Sequence, residues 1–212
     1  MAFTHLPLRR SALVGAAAYV LGYLPASAVA ATNRAALGDV TLPGATENVD
    51  PAPLATVFGS VPETWTLGGW LFYNAHRAAV ALPSAGAENG VFRPTNTDLV
   101  AALGGPALAL YLVPPVVLVA AGALAMEWGD IGSATPWAGG ASVAVAYTPL
   151  LVLGSVVFAA GVGDGGGLGG IAGSPDTLTT LLTALVYPTA FGALGGTLAV
   201  RRRSASGDAA TA

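Results

Sequence analysis

The sequence predicts an all-α integral membrane protein: a helical bundle with four transmembrane helices plus one external, interfacial amphipathic helix. Three observations carry that expectation. Of 212 residues, 54% are hydrophobic and 9% charged, against about a quarter charged in an average soluble domain. Four long stretches hold no charged residue at all, and arginines cluster just outside the first and the last of them. A mean hydropathy of +0.67 agrees.

The uncharged stretches are residues 11–31, 99–126, 138–162 and 177–200, which are 21, 28, 25 and 24 residues long. At about 1.5 Å per helical residue, each reaches across a hydrocarbon core of roughly 30 Å. The second is longer than needed, so it should tilt or kink. Residues 98–200 thus form a three-helix transmembrane bundle joined to the helix at 11–31.

Orientation follows from charge. Arg9 and Arg10 precede the first stretch, and Arg201, Arg202 and Arg203 follow the last. Positive residues next to spans stay cytoplasmic. The tails 1–10 and 201–212 are then both inside, the number of spans is even, and the protein is a multi-pass component of the cell membrane. The inner loop 127–137 carries Glu127 and Asp130 and no base, but acidic residues weigh little in this rule.

Residues 32–97 become a 66-residue external segment, with Arg34, Arg77 and Arg93 set against five acidic residues. Its first part, TNRAALGDVTLPGATENVDPAP, reads as irregular loop, as does PSAGAENGVFRPTNTD with its Asn89-Gly90 turn signal. Between them lies WTLGGWLFYNAHRAAVAL, residues 65–82. Wound as a helix, it places Leu67, Leu71, Ala75, Ala78 and Leu82 on one arc. Thr66, Trp70, Tyr73, Asn74 and Arg77 fall on the opposite arc, with His76 at the edge. An apolar stripe bordered by Trp, Tyr and Arg suits a helix lying among lipid headgroups or capping the bundle. His76 has no second histidine nearby and no carboxylate within a helical turn, so a role as ligand or base is disfavoured.

The N-terminal LRRSALVGAAAYVLGYLPASAVA also fits a secretory or twin-arginine signal, with small residues at Ala26-Ser27-Ala28. The length of its uncharged run, and the small face of Gly15, Ala18 and Gly22, favour a retained span. LRRSALVGAAAYVLGYL followed by GWLFYNAHRAAV resembles an uncharacterised family of small haloarchaeal polytopic membrane proteins, departing from it at PASAVA. The resemblance implies a four-helix membrane topology and a haloarchaeal source, and no chemistry. The absence of lysine, with eight arginines against eleven acidic residues, resembles haloarchaeal composition as well.

No Asp, Glu, Lys, Arg or His falls inside the four stretches. Such residues usually mark proton relays and charged-substrate paths, so those mechanisms are disfavoured. Proline is present instead: Pro114 and Pro115 in the second stretch, Pro149 in the third and Pro188 in the fourth. Each removes a backbone donor and frees the carbonyl four residues back. Hydroxyls stand beside them: Tyr111 before Pro114, Tyr147 and Thr148 before Pro149, Tyr187 and Thr189 around Pro188. Either the hydroxyls satisfy the kinks locally, or broken helices offer carbonyls to a small solute or ion, as in a permease or channel. Gly192, Gly195 and Gly196 suit close helix packing within the chain or in a dimer.

Gly165, Gly167 and Gly170 match G-x-G-x-x-G spacing by chance, because no strand–helix unit surrounds them. Without cysteine there is no disulfide or thiolate metal site, and no catalytic constellation can be assembled. A net charge of −3 argues against nucleic acid. The expectation is a non-enzymatic structural or accessory envelope protein without cofactor or metal. Its partners are the lipid bilayer and either other membrane proteins or further copies of itself.

Overall fold

The computed structural model describes residues 8–86, 94–128, 135–161 and 172–209. The Asn89-Gly90 turn, the glycine-rich 165–170 stretch and most of the loop containing Asp130 lie outside the described residues. The chain divides into two compact units. The first comprises residues 1–22, 112–152 and 181–212; the second comprises residues 23–111 and 153–180.

Among the described residues, four helical stretches are long and apolar enough to cross a membrane: Arg9–Thr32, Gly105–Trp128, Pro136–Val157 and Thr177–Ala205. They match the four uncharged runs, with shifted ends. Helix α1 is Leu8–Thr32. The second run does not form one 28-residue helix. It opens with a short helix that ends at Gly104 and Gly105, both at positive φ (62° and 50°), a conformation glycine adopts at little cost. A 3₁₀ turn, Gly105–Leu112, then leads into α6, Val113–Trp128. The excess length is thus absorbed by a break. The third run divides at Ser142–Val143 into α7 (Pro136–Ala141) and α8 (Ala144–Val157). The last helix, α9, runs Thr177–Ala209, straight through the three arginines.

The first unit packs through small residues. A methyl on Gly195 would run into the Val119 carbonyl, and one on Gly122 or Gly140 into the Gly192 carbonyl. Such close backbone approach supplies dispersion contacts along the helix pairs. The glycines of α9 are therefore used inside the chain. Ser142 Oγ lies 2.7 Å from Ser11 Oγ and 2.6 Å from the Gly139 oxygen, and the Arg10 guanidinium donates to the Trp128 carbonyl. Outward faces carry exposed Leu13, Val20, Val116, Leu182 and Leu185, an apolar exterior suited to lipid.

The second unit overturns two expectations. Residues 65–82 are not one helix. Helix α4 covers Thr64–Ala75, and Val80–Pro83 is strand β3. Nor is α4 an interfacial helix with a bare face, because every residue from Thr66 to Ala75 is buried. A helix apolar and aromatic all round belongs in a core. Its 12 residues span about 18 Å, too short to cross. The same unit also buries Leu37, Leu42, Leu54, Leu82 and Leu99. The supposedly irregular segment before it holds α2 (Arg34–Gly38), the paired strands β1 (Thr41–Leu42) and β2 (Ala52–Pro53), and α3 (Leu54–Val57).

The structure is mostly helical but not all-α. Strands β3, β4 (Pro94–Thr97), β5 (Ala160–Gly161) and β6 (Ala172–Pro175) form an antiparallel sheet in the order β4-β3-β6-β5. Sequences such as VALP, PTNT and AGSP have no alternating apolar pattern, so the strands exist through tertiary pairing rather than propensity. The β3–β6 pairing, Val80 opposite Pro175 and Ala81 opposite Ser174, joins the segment between the first and second candidate spans to the one between the third and fourth.

Candidate functional site

Helix α4 ends in a motif normally made by glycine. The Ala78 amide donates to the Tyr73 carbonyl at 3.0 Å and the Arg77 amide to the Asn74 carbonyl at 2.8 Å, the two bonds of a Schellman cap. The left-handed position is Arg77, φ 62°, which is the one non-glycine residue with positive φ among those described. An arginine there is strained relative to glycine. What it gains is an aromatic partner: its guanidinium carbon lies 3.5 Å from the centroid of the Tyr111 ring, within cation–π range.

Tyr111 is held in turn. Its hydroxyl donates to Asp98 Oδ2 at 2.6 Å, while Asp98 Oδ1 accepts from the Ala101 amide at 3.0 Å. Asp98 is the N-cap of α5, Leu99–Leu103. Arg77, Tyr111 and Asp98 therefore form a chain of charge, ring and carboxylate. It ties the end of α4 to the start of α5 and to the 3₁₀ turn.

Asn74, one turn earlier, is fully engaged with backbone. Its Nδ2 donates to the carbonyls of Ala78 (3.0 Å) and Thr97 (3.2 Å), and its Oδ1 accepts from the Leu99 amide (2.8 Å). One buried amide thus joins the α4 cap, strand β4 and the first turn of α5. His76 is also buried, with Nδ1 2.7 Å from the Phe72 carbonyl oxygen. That carbonyl only accepts, so Nδ1 carries the hydrogen. Burial pushes the His76 pKa down to about 4, more than its backbone hydrogen bond raises it. At neutral pH the ring is uncharged.

Trp70 donates its Nε1–H to the Phe158 carbonyl at 2.8 Å. The Phe158 ring stacks on Tyr23 (centroids 5.4 Å apart) and also meets Trp65 and Tyr73. Phe158 was invisible as a functional residue in sequence, being one more apolar residue in an uncharged run. Asp98 did leave a signal, as a capping residue type directly before LVAAL. Among the described residues, no three His, Cys, Asp or Glu side chains converge to hold a metal.

A family model described as a family of unknown function (DUF7978) matches residues 3–203. The chain belongs to this family. The DUF7978 match covers α1 and extends through Arg203, so Arg77, Asp98, Tyr111 and the proline-bearing helices all lie within it. No curated protein and no solved structure matches the chain.

The other residues singled out in sequence lie in the first unit. Pro149 is exposed within α8, and Pro188 is buried within α9. The Tyr187 ring sits 5.3 Å from that of Phe191. Pro188 has no amide to give the Ala184 carbonyl four residues back. The Thr148 hydroxyl of α8 supplies the missing donor at 2.6 Å.

Proposed function

We propose that this DUF7978 chain is a multi-pass cell-membrane protein, both termini cytoplasmic, acting as a non-enzymatic structural or accessory component of the envelope. A haloarchaeal source is part of the proposal and rests on the lysine-free composition. Four helices of spanning length and the arginines at both ends support the topology. The β3–β6 pairing agrees with two crossings between those segments, which leaves both on one side.

The observation that carries the functional reading is how the polar groups are used. Asn74 makes three bonds to backbone, Asp98 holds Tyr111 and caps α5, and Thr148 satisfies the carbonyl that Pro188 frees. These are the groups a permease would offer to a solute or an enzyme to a substrate, and here they hold the protein's own elements. The test is isolation from native membranes in mild detergent, alongside flux assays in proteoliposomes. A stoichiometric partner and no flux above empty vesicles are expected. Solute flux lost on Pro149→Ala or Pro188→Ala would replace this reading with that of a small-solute or ion transporter.

A further inference from the structure

We propose that the groove between α6 and α9 holds a hydrocarbon chain of an anionic phospholipid whose phosphate lies against Arg202 and Arg203. This rests on reading the two helices as membrane-embedded. The groove has a volume of about 790 Å³ and runs from Pro115 and Phe191 to Glu127, Arg202 and Arg203. Twelve residues of each helix separate its ends, about 18 Å at 1.5 Å per residue. That is close to the depth of one leaflet, half of a hydrocarbon core of about 30 Å.

The walls suit a hydrocarbon tail. Leu194 and Leu198 of α9 and Ala120 of α6 line it and are exposed, while the close approach of Gly195 to Val119 makes it a groove rather than a flat face. Its mouth suits a headgroup. Arg202 and Arg203 are exposed there, Glu127 is the one carboxylate among the described lining residues, and Arg201 stands next in sequence. Guanidinium groups bind phosphate oxygens in a planar fork, and basic residues at a membrane surface attract anionic lipid. Glu127 disfavours a doubly charged headgroup and offers an acceptor to a hydroxyl, which fits a phosphodiester such as phosphatidylglycerol. A second copy related by a twofold axis along the membrane normal would bring its own three arginines to the same level. Charge thus favours lipid over another copy.

The experiment uses the full chain in mild detergent, incubated with phosphatidylglycerol or phosphatidylcholine of identical hydrocarbon chains and read by native mass spectrometry. Retention of one phosphatidylglycerol in preference to phosphatidylcholine is expected. Arg202→Gln with Arg203→Gln should weaken phosphatidylglycerol retention by roughly ten- to thirtyfold, at about fivefold per arginine. Ala120→Phe, which fills the groove and leaves the arginines in place, should weaken retention of both lipids. Equal retention of the two lipids, insensitivity to either variant, or a lipid-free dimer overturns the proposal. Alkaline extraction of native membranes separates the two levels. Release of the chain defeats the membrane reading itself, whereas a chain that stays but retains no phosphatidylglycerol defeats only the lipid site.

Discussion

The Thr148 hydroxyl donates to the Ala184 carbonyl oxygen at 2.6 Å, the very oxygen that Pro188 leaves without its helical donor. A defect in one helix is thereby repaired by its neighbour, and α8 and α9 are tied at that level. In an apolar environment an unmatched carbonyl is costly, so the two residues should be energetically coupled.

Thr148→Val should lower stability by roughly 1–2 kcal/mol, because it keeps the shape and removes the donor. Thr148→Ser should be nearly neutral. In a Pro188→Ala background the helix regains its own amide donor, and the cost of Thr148→Val should largely disappear. Denaturant melts of the four variants in detergent form the double-mutant cycle, and strict additivity would show that the hydroxyl is not repairing the kink.

Arg77 combines a strained backbone with a cation–π contact, so its two simplest replacements should differ. Arg77→Ala loses the Tyr111 ring while keeping a side chain at φ 62°, and should cost roughly 1–2 kcal/mol. Arg77→Gly loses the same contact but relieves the backbone, and should be nearly neutral. Equal melting temperatures for the two variants would argue that the left-handed cap is not where the energy lies.

His76 should make stability depend on pH in the acid range. Its pKa falls from 6.5 in the unfolded chain to about 4 in the fold. Above 6.5 both states are neutral and the residue contributes no slope. Between 6.5 and 4 the unfolded chain takes up a proton that the folded one refuses, so stability declines as pH falls. The loss amounts to about 3 kcal/mol in all and levels off below pH 4. His76→Gln should flatten that limb of the stability–pH curve, and an unchanged slope would assign it to other groups.

The chain has no cysteine, so single introduced cysteines report topology on a clean background. Glu47→Cys and Ala159→Cys, both at exposed positions, should be labelled from the outside of intact cells by an impermeant maleimide. Ser204→Cys should react only after permeabilisation. Glu47→Cys and Ala159→Cys reacting from opposite sides would contradict both the arginine-based orientation and the even number of spans.

The candidate spans were legible because hydropathy is a local sum. Some twenty consecutive apolar residues suffice to identify a helical stretch able to span, whatever surrounds it, and all four uncharged runs correspond to helical stretches of that length, two of them interrupted. Their exact ends were less legible. The break at Gly104 and Gly105 and the division at Ser142–Val143 depend on single-residue backbone choices. The candidate site was legible only as a set of residue types. Trp70, Tyr73 and Asn74 looked like a polar arc for headgroups because helical periodicity sorts residues by direction and says nothing about what lies there. Phe158 meets Trp70 from 88 positions away, and Thr97 and Leu99 meet Asn74 from about 25. The sheet is similar, since β3 and β6 find each other across more than ninety residues with no strand signal in either. Sequence by itself determined which stretches are apolar enough to leave water and where the positive charge sits. Tertiary structure decided which polar groups are spent on one another, because a hydrogen bond needs a partner within about 3 Å, and no local pattern says which distant segment supplies it.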